Sequence, residues 1–187
     1  MIFFSTAVPR SSRSLCGIVL VLGTLLAPGV GIPALAQQAS ERSLASAQNP
    51  MNLQAVRSLL AQGDSAAASG NLVEARRLYD LARNYCRRLL GFYRDLSGSF
   101  RGLDARIPRE MDQKGREALE LLAQTNLRLA AVFRRESQPE VAVPLLVEVV
   151  KVMTPATEEG RKAYQMLLEI GFVETPYTAG QVAPSAP

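Results

Sequence analysis

The sequence predicts an all-α fold of about five helices paired into antiparallel hairpins. Two observations carry this. Leu72, Ala75, Tyr79, Ala82, Cys86, Leu89, Tyr93 and Leu96 follow one another in unbroken steps of three and four, which holds one apolar seam on one face of a helix. The small–large–small spacing of Ala75, Tyr79 and Ala82 returns as Ala142, Leu146 and Val149, 67 residues later (142 − 75). No stretch reads as a strand.

Ahead of these helices lies a segment of different character. Arg10 and Arg13 are the only charges before Glu41. An apolar run, 15–27, follows them, then Pro28, Gly29, Gly31 and Pro33, then Ala34-Leu35-Ala36. This is the order of a secretory signal, with small residues at the cut. Cleavage is expected after Ala36, so residues 1–36 are read as a removed signal and the protein as exported, to a periplasm or thylakoid lumen. The run of about 13 apolar residues is shorter than the roughly 20 a membrane-spanning helix needs. Loss of Arg10 and Arg13 leaves 19 Lys+Arg against 17 Asp+Glu, a net of +2. It also leaves Cys86 as the single cysteine, which excludes an internal disulfide. Residues 37–48 are small and polar and read as a flexible linker.

The folded part is expected over 49–174. Asn49-Pro50 is a cap followed by a first-turn proline, and with Leu53, Val56, Leu59 and Leu60 predicts a first helix at about 50–69. Gly70 ends it. Asn71 with Glu74 starts the second helix as a capping box, and the seam carries it to about 96, with Ser97-Gly98-Ser99 as its stop. Pro108 opens a third helix, about 108–136. Ser137 and Glu140 form a Ser-x-x-Glu box for a fourth, about 138–152. Thr154-Pro155 repeats the cap-then-proline start for a fifth, about 155–170. Gly171 stops that helix, with Phe172 placed to fold back on its last turn. From 175 to 187 the chain is rich in Pro, Ala, Gly and Ser and is expected to be a disordered tail.

Catalytic chemistry is not legible. There is no His and no Trp, so the commonest general base and zinc ligand are missing. Cys86 sits on the apolar seam, where a thiol packs and does not react. Glu117/Glu120 and Glu158/Glu159 are neighbours on exposed helical surface, unlike a carboxylate pair facing across a substrate. No Gly-rich strand–loop–helix cradle for phosphate is present. The expectation is a non-enzyme without metal or cofactor.

Charge is distributed unevenly. Residues 76–109 hold nine Arg against Asp80, Asp95 and Asp104, a net of +6, whereas 136–174 hold Lys151, Arg161 and Lys162 against seven Glu, a net of −4. Arg76, Arg83, Arg87 and Arg94 form a stripe on the second helix opposite its seam. The stripe reads either as a solvated outer face or as a docking face for an acidic protein or an anionic membrane or cell-wall surface. The same asymmetry is compatible with head-to-tail self-association. Nucleic acid is not an expected partner of an exported chain.

The recurring small–large–small triplets, Gly63 and Ala66 opposite Ala130 and Phe133 upstream of them, and Pro155 as a late proline together resemble the tetratricopeptide-repeat family, over 56–88 and 123–170. Gln62 and Ala66 depart from the family pattern, and Arg109, Gln113 and Arg116 stand where a middle repeat needs small, large and small residues. The resemblance therefore implies two degenerate repeats with elongated helices at their junction, in a TPR-like right-handed stack closed by a helix carrying Ala163, Tyr164 and Leu167. It implies a peptide-binding inner face at Arg57, Leu60 and Asp64, then Gln124, Leu127 and Arg134, then Arg161 and Gln165. The stretch 154–177 also resembles short exported cyanobacterial proteins. The expected function is a non-catalytic adaptor or assembly factor that binds another protein or peptide.

Overall fold

The computed structural model describes residues 49–178. The expected signal, the linker and all but the first residues of the tail lie outside them. The described residues form five helices and no strand: α1 Leu53–Ala68, α2 Leu72–Ser99, α3 Arg106–Arg135, α4 Pro139–Met153 and α5 Glu158–Ile170. The all-α prediction holds, and its seams are the core. Ala75, Tyr79 and Ala82 on α2, and Ala142, Leu146 and Val149 on α4, are all buried.

Each helix runs antiparallel to the next, and alternate helices run parallel. Asp64 and Tyr79 meet across α1 and α2, and Ser97 meets Asp112 across α2 and α3. Arg57–Glu117 and Asp64–Arg128 tie α1 to α3 in the same direction. The small residues set the spacing. Gly63 lies flat against the Tyr79 ring, and a Cβ there would run into it. Tyr79 is 2 % exposed, and its hydroxyl donates to Asp64 Oδ1 at 2.6 Å, so the ring is buried and its polar end is satisfied.

Helix boundaries differ from expectation for local reasons. Asn52, three residues after Asn49, caps α1 by accepting from the Ala55 N–H at 2.7 Å. The expected stop of α2 at 97–99 is helical. The seam passes through Ser97, which is 2 % exposed and donates to Asp112 Oδ1 at 2.7 Å, while Leu96 faces solvent. A serine with a waiting acceptor is a core residue and not a breaker. α3 begins two residues before Pro108, because Asp104 Oδ1 accepts the Arg106 N–H at 2.8 Å.

The two expected Ser/Thr starts are also corrected. Ser137 does not cap α4; the N-cap is Gln138, without a side-chain bond. Ser137 instead ends α3 in the left-handed region, φ 59°. Its N–H donates to Arg134 O at 3.1 Å, and the Gln138 N–H donates to Phe133 O at 2.8 Å. That is the Schellman arrangement, which Gly70 and Gly171 also provide at φ 82° and 78°. Ser137 holds the conformation with a Cβ, at a cost of about 1 kcal/mol relative to glycine. Ser137→Gly is therefore expected to stabilise the fold by up to about 1 kcal/mol, measured as a rise in the urea midpoint. Likewise Thr154 has φ 59° and lies before the helix, and Thr157 caps α5 by accepting from the Gly160 N–H at 3.1 Å. After Gly171, Phe172 is exposed and does not fold back; Val173 packs on the core in its place. Residues 175–178, the start of the expected tail, lie against α5: the Tyr164 hydroxyl donates to Thr175 O at 2.7 Å, and Tyr177 meets the Tyr164 ring edge-on at 6.3 Å.

α2 and α3 contain 28 and 30 residues, against 16 in α1 and 15 in α4. At 1.5 Å per residue, α2 spans about 42 Å and α4 about 22 Å. The joined ends of α2 and α3 therefore project past their neighbours.

Candidate functional site

Parallel helices α1, α3 and α5 lie side by side and enclose a long groove. Its first part, about 350 Å³, runs between α1 and α3 and is lined by Arg57, Leu60, Asp64, Glu117, Glu120, Gln124 and Arg128. Its second part, about 520 Å³, is lined by Asp64, Gln124, Leu127 and Arg128 together with Glu158, Glu159, Lys162 and Met166 of α5. Asp64, Gln124 and Arg128 belong to both, so the two parts are continuous.

The groove is polar-walled with an apolar floor. Arg57 pairs with Glu117 at 3.2 Å and Arg128 with Asp64 at 2.8 Å. Asp64 is thereby shared between Arg128 and the Tyr79 hydroxyl, which links the groove wall to the central core contact. Glu120, Glu158, Glu159 and Lys162 make no ion pair within the described residues. Five carboxylates against three cations give the lining a net charge of −2, so it favours a basic or hydrogen-bonding ligand.

The implied binding residues divide. Arg57, Leu60, Asp64, Gln124 and Leu127 line the groove. Arg134 sits at the far end of α3, paired with Glu169 at 2.8 Å. Arg161 and Gln165 line an adjoining hollow, about 390 Å³, between α5 and the Pro176–Tyr177 segment, which shares Glu158 and Lys162 with the groove. The groove face of α5 is made by Glu158, Lys162 and Met166, a face the repeat alignment did not select. Stepping by four from Glu158 would have found it. Arg128 and Glu120 were also missed, although they flank Gln124 at four-residue spacing.

The Arg stripe has a largely internal role. Arg83 and Arg87 both reach Glu148 of α4, at 2.7 and 2.8 Å, and the buried Asn126 amide donates to the same carboxylate at 3.0 Å. Arg76 pairs with Glu136 at 3.3 Å and lies over the Phe133 ring at 5.8 Å. Arg94 alone of the four has no such partner among the described residues. Burial works to raise the Glu148 pKa, but hydrogen bonds from Arg83 and Arg87 outweigh it and hold the carboxyl below its ordinary value. A depressed carboxylate pKa stabilises the fold above the unfolded value of 4.5 and loses that contribution as pH falls through the folded value. Glu148→Gln should accordingly destabilise the protein by about 1–2 kcal/mol at pH 7. The gap to wild type should close as urea unfolding is repeated at progressively lower pH, below 4.5.

Cys86 is fully buried, and burial pushes its thiol up to about 12 although the neighbouring Thr125 side chain works to lower it. It is a packing residue at neutral pH. Among the described residues no group of three His, Cys, Asp or Glu converges to hold a metal ion, and no helix is long and apolar enough to cross a membrane. No family model matches this sequence, and comparison with curated proteins and with solved structures finds no similar protein.

Proposed function

We propose that this protein is a non-catalytic adaptor or assembly factor. It binds an extended or helical segment of another protein along the groove of α1, α3 and α5. The observation that carries this reading is the continuity of that groove over three helices, with Glu120, Glu158, Glu159 and Lys162, which make no ion pair among the described residues, lining it. Stacked hairpins that present the first helix of each pair on one face support the tetratricopeptide-like architecture, and the secretory order of residues 1–36 supports an extracytoplasmic site of action. The buried Cys86 and solvated carboxylates favour binding over catalysis. Adsorption to an anionic membrane through the Arg stripe has less support, since Arg76, Arg83 and Arg87 are matched internally by Glu136 and Glu148.

The test is affinity capture from native envelope. Wild type is expected to recover a defined protein that Glu120→Lys with Glu158→Lys no longer retains. Both residues are exposed, so the variant keeps its fold. Equal recovery by both proteins, or none by either after crosslinking, contradicts the proposal.

A further inference from the structure

The projecting ends of α2 and α3 leave a second groove, on the side opposite the first. It has a volume of about 420 Å³ and is lined by Leu90, Tyr93, Met111 and Leu119, with Arg94 and Arg101 at its rim. Its position follows from helical phase. At 100° per residue, Leu90, Arg94 and Ser97 fall within about 40° of Arg83, which together with Arg87 holds α4 through Glu148. On α3, Gly115 and Leu119 fall within about 20° of Asn126, the third partner of Glu148. The hollow is therefore the continuation of the seat of α4, beyond the point where α4 ends at Met153.

The charges continue with it. Arg87, Arg94 and Arg101 recur every seven residues along this face. Arg87 is neutralised by Glu148, whereas Arg94 and Arg101 are exposed and have no anionic partner among the described residues. Asp112, the one carboxylate on the rim, is engaged by the buried Ser97 hydroxyl. Gly115 adds width, since a Cβ there meets nothing within 4 Å.

We propose that this overhang is a docking site for an acidic amphipathic helix of a partner protein. The helix would lie in line with α4, its apolar face on Leu90, Met111 and Leu119. Carboxylates would sit at Arg94 and at Arg101, about two turns apart, in the way Glu148 meets Arg83 and Arg87 one turn apart. Charge complementarity selects this occupant. A two-fold pairing of overhangs would bring Arg94 and Arg101 against their own copies, and like charges oppose it. The proposal concerns a different surface from the first groove, so either can fail alone.

The probe is a fluorescein-labelled synthetic peptide copying residues 139–153, made helical and soluble by Pro144→Ala, Val141→Glu and Val147→Glu; the two valines are exposed in α4. Fluorescence anisotropy with the purified chain should show saturable binding. Arg94→Glu with Arg101→Glu should weaken it at least tenfold with the thermal midpoint unchanged. A second peptide carrying Glu148→Lys should recover the affinity on that variant. No binding overturns the proposal, as does binding indifferent to the double reversal, which is what displacement of α4 from its own seat would give. A concentration-dependent dimer in sedimentation, abolished by the same reversal, would place a second copy in the groove and overturn it as well.

Discussion

Tyr79→Ala is expected to lower stability by about 3–5 kcal/mol, the usual cost of removing a large buried aromatic. The ring is 2 % exposed, fills the space left by Gly63 and lies between Ala75 and Ala82 on its own helix, so little around it can collapse into the void. For a domain of this size the loss corresponds to a fall in Tm of about 10–20 °C. Tyr79→Phe separates packing from polarity. It keeps the ring and removes the hydroxyl donated to Asp64, which retains Arg128 as a partner, so its cost should be near 1 kcal/mol. Burial, with Asp64 adding to it, raises the Tyr79 pKa well above its ordinary 10.0. A raised phenol pKa stabilises the fold below the unfolded value and is lost as pH rises through the folded one. Wild type should therefore lose stability above pH 10.0, and Tyr79→Phe should lose less.

Gly160→Ala should destabilise although it replaces the poorer helix former. On propensity alone the change favours a helix interior by about 1 kcal/mol. At Gly160 the added Cβ would overlap the carbonyl oxygen of Thr154, a backbone atom that cannot rotate away. Thr154 already holds φ 59° and bonds the Thr157 N–H at 3.2 Å, so relief requires lifting the first turn of α5 off its loop. The expected cost is about 2–3 kcal/mol. Gly115→Ala is the matched control: it is mid-helix, nothing stands within 4 Å of its new Cβ, and it should stabilise by up to about 1 kcal/mol. Opposite signs for the same substitution at two helical glycines, read from urea midpoints, would separate close approach from propensity.

These residues also mark where sequence reasoning works. Tyr79, Leu146 and their small neighbours were legible because a seam in steps of three and four has one geometric solution. Ser137 and Thr154 were not. Each precedes or adjoins a proline, and Ser-Gln-Pro-Glu reads equally as the start of one helix or the left-handed end of the previous one. What decides is a pair of bonds back to Phe133 and Arg134, which no local pattern announces. On α5 the groove is lined by Glu158, Glu159, Lys162 and Met166, while the expected Arg161 and Gln165 line the adjoining hollow that shares Glu158 and Lys162. The Arg stripe was visible as a stripe, but its neutralisation was not, since Glu148 lies more than sixty residues away in sequence. The open end of the stripe at Arg94 depends on α4 being shorter than α2, a property of tertiary alignment.

Site-specific photocrosslinking in the native cell addresses the adaptor reading most directly. A photoreactive residue at Gln124, where the two halves of the groove join, is expected to capture one polypeptide at high yield. The same residue at Arg88, exposed on another face of α2, should not. Equal labelling from both positions, or none from Gln124, would contradict a groove that holds a protein partner.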